Sequence, residues 1–137
     1  MRFWDSSALV PLVLRQPRTS EARRLLDEDD ELVVWWGSVI ECASAVARLH
    51  RDGRLSSSAE RDARRLLEAL RGSWFEVQPA DAVREQAMRL LRVHPLRTAD
   101  ALQLAAALEW AGAPPDAAFV TFDDRLREAA VREGFSA

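Results

Sequence analysis

The sequence predicts an α/β fold, a mostly parallel sheet covered by helices on both faces. Three observations carry this. Short runs rich in aromatic and β-branched residues alternate along the chain with longer amphipathic runs. Strands separated by helices need crossover connections, which build parallel sheets with both faces covered. Glycines follow four of the helical runs, at Gly53, Gly72, Gly112 and Gly134, where a left-handed residue ends a helix.

The elements follow in order. RFWD (2–5) reads as the first strand, followed by helical stretches at 6–15 and 19–29. LVVWW (32–36) is the second strand, and helices at 38–52 and 56–71 follow it. SVIE (38–41) and SSAE (57–60) have the spacing of capping boxes at the starts of those two helices. WFEVQ (74–78) is the third strand, ahead of helices at 80–93 and 98–112. The second of these, TADALQLAAALEWAG, is apolar nearly all round and is therefore a buried helix. GAPPDA (112–117) is the clearest loop, AFVTF (118–122) the fourth strand, and 123–133 the last helix.

A chain of 137 residues fits one domain, 1–137, which buries roughly 68–70% of the surface its unfolded form exposes. A net charge of −3 argues against coating nucleic acid by bulk electrostatics. All 19 basic residues are arginine, so every mechanism that needs an ε-ammonium is excluded. Cys42 alone forms no internal disulfide, and with only His50 and His94 it builds no structural zinc site. Asp5 interrupts any leader-like start, and no apolar run reaches spanning length, so a soluble, cytoplasmic protein without membrane association is expected. Trp4, Trp35 and Trp36 lie in predicted strands and are expected to be buried, leaving Trp74 and Trp110 for a dimer or partner surface.

Functional groups in parallel sheets gather beyond the carboxyl ends of the strands. Asp5 ends the first strand, Glu41 opens the helix after the second, and Asp123 follows the fourth. Asp100 starts the helix that runs back into the fourth strand, so its end of that helix lies at the same edge. Each has an ordinary alternative role. Asp5 and Asp123 can cap the helices they precede, Asp100 can favour the helix dipole behind a Thr98 cap, and Glu41 can close a capping box. Around Glu41, Ser38, Ser44 and Ala45 leave space for an ion or another segment. Carboxylates forced together repel, and a hard cation relieves the repulsion. Acids without Cys or His partners select oxygen-seeking metals, Mg²⁺ or Mn²⁺.

Other acid-using classes fail on particular residues. A phosphate-binding loop and a response-regulator receiver both need a lysine. A haloacid-dehalogenase-like phosphatase wants a second Asp where Ser7 stands, and a serine hydrolase wants Gly-x-Ser-x-Gly, which is absent. Metal-assisted phosphoryl chemistry remains.

DSSALV (5–10), SVIECASAV (38–46), RTADALQLAAA (97–107) and FVTFDDRL (119–126) together resemble the PIN-domain family, in particular the VapC-type toxins of bacterial toxin–antitoxin pairs. The resemblance implies a PIN-like three-layer fold with a central sheet of four to five strands. It implies that Asp5, Glu41, Asp100 and Asp123 hold one or two divalent ions for RNA cleavage, with Asp124 competing for the place of Asp123. Asp5 and Asp100 are then the direct ligands, and Ser6 and Thr121 orient the acids. Arg15, Arg18 and Arg97 are candidates for phosphate contacts. An antitoxin whose tail blocks the site, and a homodimer, are also implied. Family members commonly add a short fifth strand after the last helix, which GFSA leaves absent or rudimentary here. Two other readings stay open: a non-catalytic RNA-binding domain, and a metal-dependent phosphoesterase acting on DNA or small phosphates.

Overall fold

In the computed structural model, which describes residues 1–137, eleven elements alternate as the sequence predicts. They are β1 (Arg2–Trp4), α1 (Ser6–Val13), α2 (Thr19–Glu28), β2 (Leu32–Trp35), α3 (Ser38–Arg51), α4 (Ser57–Arg71), β3 (Phe75–Val77), α5 (Asp81–Val93), α6 (Thr98–Ala111), β4 (Phe119–Val120) and α7 (Asp124–Arg132). The strands pair in the order β3-β2-β1-β4, all parallel. After β3 the chain crosses back to the other side of β1. The switch in direction therefore lies between β1 and β4, where such sheets open a crevice at the carboxyl edge. A single parallel bridge between Ala118 and Ser136 extends the sheet beyond β4, and it is the rudiment of the fifth strand.

Alternation along the strands feeds two cores. Phe3, Val33, Trp35 and Phe119 face α5, α6 and α7, while Trp4, Val34 and Val120 face α1 to α4. The result is three layers, helices–sheet–helices. On α6, Ala101 and the run Gln103–Leu108 are all buried, as an all-round apolar helix requires. No helix is long and apolar enough to cross a membrane.

Several local expectations change. The fourth helix is capped by Ser56, whose Oγ accepts from the Ala59 N–H at 3.1 Å, so SSAE is displaced by one residue from a capping box. Ser38 is the first helical residue of α3 rather than its cap, and Arg97 rather than Thr98 stands at the cap position of α6. β2 stops at Trp35, which leaves Trp36 44% exposed, while Trp74 and Trp110 pack against the two cores. Gly53, Gly112 and Gly134 take positive φ, but Gly72 stays right-handed at φ −67°.

Candidate active site

Asp5 stands where β1 hands over to α1. Its backbone N–H donates to the Val120 carbonyl at 3.1 Å, which ties it to β4. It occupies the cap position of α1, yet its side chain caps nothing. The carboxylate instead accepts a hydrogen bond from Ser7 Oγ at 2.6 Å. Ser7 Oγ in turn accepts the Phe122 N–H at 2.8 Å and lies 3.2 Å from Thr121 Oγ1, which accepts the Asp123 N–H at 3.1 Å. The Ser7 hydroxyl proton goes to Asp5, and the Thr121 hydroxyl stands beside the Ser7 oxygen. This chain of bonds joins the ends of β1 and β4.

Glu41 is held by a different set. Gln103 Nε2 donates to Glu41 Oε2 and also to Ser38 Oγ, the latter at 3.0 Å. Gln103 and Ser38 are both buried. Glu41 therefore closes no capping box, and its carboxylate is fixed across from α3 to α6. Asp100 lies one turn before Gln103 on the same face of α6, so one helix supplies an acid and the clamp for another.

All four acids, Asp5, Glu41, Asp100 and Asp123, line one cavity of about 590 Å³, with Ser44 and Ala45 among the small residues that keep it open. Asp123 also caps α7, its Oδ1 accepting the Leu126 N–H at 2.8 Å. The second oxygen of that carboxyl is left over. Asp124 is nearly fully exposed and pairs with Arg127 at 3.0 Å, and it does not line this cavity. No salt bridge reaches any of the four acids.

Burial and mutual repulsion show in their protonation. Burial pushes the Asp5 carboxyl up to about 7, against the lowering effect of the Ser7 and Thr121 bonds and with added repulsion from Glu41. Burial also raises Glu41, opposed by Gln103 and the Ser6 hydroxyl and reinforced by the Asp100 charge. Asp100 is raised by burial and by the neighbouring Asp123, with Arg97 and Arg125 pulling the other way. Cys42, buried behind the site, has its thiol pushed up to about 12 by burial and by the acids, so it is inert as a nucleophile.

The other predicted residues divide. Ser6 and Thr121 are both at the site, Ser6 in the cavity wall and Thr121 through Ser7. Arg97 lines an adjoining depression, whereas Arg18 is paired with Glu21 at 2.6 Å and stacks over Phe122. Arg15 is exposed and lines neither depression. Sequence reasoning missed Ser7, Ser38 and Gln103 as supports. Gln103 carried a signal, as the one amide inside an otherwise apolar buried stretch, one turn after Asp100.

No three of the acids converge closely enough to grip one ion together. That suits Mg²⁺, which is typically held by one or two carboxylates with water and phosphate oxygens completing its shell. The donors are all oxygen, and no salt bridge ties any of them up, so the residues fit a hard divalent ion.

Comparison with known proteins gives the family. The PIN domain family model matches residues 2–132. Ribonuclease VapC45 of Mycobacterium tuberculosis strain CDC 1551 / Oshkosh is 32% identical over 132 residues, covering 96% of this chain and 90% of the relative. Ribonuclease VapC49 of Mycobacterium tuberculosis strain ATCC 25618 / H37Rv matches with the same identity and coverage. The crystal structure of Mycobacterium tuberculosis VapC20, described as a Sarcin-Ricin loop cleaving toxin, superposes with a TM-score of 0.72 at 19% identity. The match covers 98% of this chain and 96% of that one, and it bears on the fold alone. With the motif order, the layered fold and the relatives in agreement, the chain belongs to the PIN-domain family, among its VapC-type members.

Proposed function

We propose that this protein is a Mg²⁺- or Mn²⁺-dependent endoribonuclease, the toxin of a VapBC-type pair. The observation that carries the proposal is the single cavity lined by Asp5, Glu41, Asp100 and Asp123, with no cationic side chain paired to any of them. The names of the relatives, Ribonuclease VapC45 and Ribonuclease VapC49, support the same chemistry.

Asp5 and Asp100 would be the direct ligands of the ion. Glu41 and Asp123 would serve a second ion or hold its water. When bound, such an ion lowers the pKa of a water and offsets charge that develops on the attacked phosphate. The protein supplies the rest. Ser7 and Thr121 fix the Asp5 carboxylate, and Asp5 must shed the proton that its burial favours before it can serve. Gln103 and Ser38 set the direction of Glu41. The Leu126 N–H holds one oxygen of Asp123 and leaves the other for the cavity. Reaction is then in-line attack of water on an RNA phosphodiester: the acids orient the water and accept its proton, the bond to the leaving ribose oxygen breaks as the new P–O bond forms, and that oxygen takes a proton from solvent.

The partner in this reading is an antitoxin whose tail fills the acidic cavity, and the working compartment is the cytoplasm. A homodimer belongs to the same reading.

The test is incubation of purified protein with labelled RNA and with single-stranded DNA, each with Mg²⁺, with Mn²⁺ and with excess EDTA. Cleavage of RNA that stops with chelator is the expected result. Undiminished cleavage in EDTA overturns the metal dependence, and cleavage of DNA alone moves the protein to another class of phosphoesterase.

A further inference from the structure

The acid-lined cavity is not a dead end. A second depression, of about 700 Å³, adjoins it and is walled by Arg97, Ala99, Asp124, Arg125 and Glu128. Asp100 and Asp123 line both. Asp100 and Asp123 therefore stand on a saddle with open space on two sides, and Asp5 and Glu41 lie on the side of the first cavity. At the far side of the first cavity, Arg48 lies two turns along α3 from Glu41, on the stripe that includes Ser44 and Ala45. Arg97 stands at the cap position of α6, and Arg125 in the first turn of α7.

Of the arginines that form no salt bridge, these three line the acid cavity or the depression beside it. A third depression runs beside β4 and is lined by Arg2, Arg18 and Arg127, but each is engaged: Arg2 with Glu28, Arg18 with Glu21, Arg127 with Asp124. Arg48, Arg97 and Arg125 form no salt bridge and are exposed. Unpaired guanidinium groups on both sides of a row of carboxylates suit a polyanion that crosses the row, because phosphates need donors wherever the acids are not.

We infer that a single strand of RNA lies across both depressions, with the phosphate to be cut over the saddle and flanking phosphates bound by Arg48 on one side and by Arg97 and Arg125 on the other. This rests on the ribonuclease reading and deepens it. A strand held on both sides of the acids meets them at an internal phosphate, as the endoribonuclease reading requires. The arginines contact phosphate rather than base, so they position the strand without choosing its sequence.

The experiment is fluorescence anisotropy on a mixed-sequence single-stranded RNA long enough to fill both depressions. Ca²⁺ replaces Mg²⁺ so that the acids stay neutralised, and salt is titrated for wild type, Arg48→Ala and the double variant Arg97→Ala/Arg125→Ala. Each lost phosphate contact lowers the salt slope by about 0.7. The expected result is weaker binding and a shallower slope in both variants, with melting temperatures unchanged. In a cleavage assay, an RNA end-labelled at either terminus should yield internal cuts only. Wild-type affinity and slope in both variants overturn the track, as does an effect confined to one side. Binding that weakens as expected in a protein that cuts no RNA would leave the track standing and sink the ribonuclease reading instead.

Discussion

At Asp5, the side chain carries the most perturbed protonation of the site, and this has a measurable sign. Its folded value of about 7 lies above the ordinary 3.8 because burial disfavours the charge. Between those values the folded state holds a proton that the unfolded chain releases, so the contribution is present below about pH 4 and is lost as pH rises through about 7. In EDTA, Asp5→Asn should therefore melt like wild type near pH 4 and increasingly above it toward pH 8, by on the order of a few kcal/mol. Parallel pH profiles by circular dichroism would show that Asp5 is not the titrating group. Glu41 poses the other residue-scale question, cap or site. Its carboxylate is bonded to Gln103 and closes no cap, so Glu41→Gln keeps an acceptor for that amide and should leave the melting temperature unchanged or higher without metal. The charge is what a cation needs, and cleavage should fall at least about 100-fold, roughly 2.7 kcal/mol or more of transition-state stabilisation. Near wild-type cleavage by the Gln variant would reduce the site to three acids.

Among the elements, α6 and α7 decide whether the acids meet. α6 brings Asp100 and the Gln103 clamp together on one face, and α7 is anchored at both ends. Its N-terminus is capped by Asp123. Just past its C-terminus, Glu133 accepts from Arg89 at 2.6 and 3.2 Å and pairs with His94 Nε2 at 2.7 Å, which ties α7 to α5 and the residue after it. The Arg89 bond holds Glu133 below its ordinary value of 4.5, with His94 adding to it. The sign is opposite to that of Asp5: this stability is present above about pH 4.5 and is lost as pH falls through the folded value. Arg89 is 39% exposed, so solvent screening discounts the interaction. Glu133→Gln should cost about 1 kcal/mol at neutral pH, with the deficit closing in acid. A deficit that persists unchanged at low pH, measured by chemical denaturation, would assign the loss to packing rather than charge.

For the whole molecule, the ion proposed for the cavity at the β1/β4 switch would link folding to metal. An ion that binds only the assembled acids stabilises the fold by mass action, about 2.7 kcal/mol at 100-fold excess over its dissociation constant. The gain should shrink as pH falls and protons compete for Asp5, Glu41 and Asp100. A melting temperature indifferent to millimolar Mg²⁺ and Mn²⁺ at neutral pH would mean that the acids do not form a site before substrate arrives. The sequence by itself determined the alternation of strands and helices and the buried character of α6, because hydrophobic period is a local property of consecutive residues. It also determined that Asp5, Glu41, Asp100 and Asp123 share one edge, because parallel topology fixes where strands end and where the returning helix begins. Only the tertiary structure decided how those acids are held. Ser7 reaches Asp5 and the Phe122 N–H at once, and Gln103 reaches Glu41 and Ser38, through contacts between residues far apart in the chain that no local pattern encodes. The same is true of the capping boxes: SVIE had the spacing, but a buried amide from α6 offered Glu41 a better donor than its own helix did.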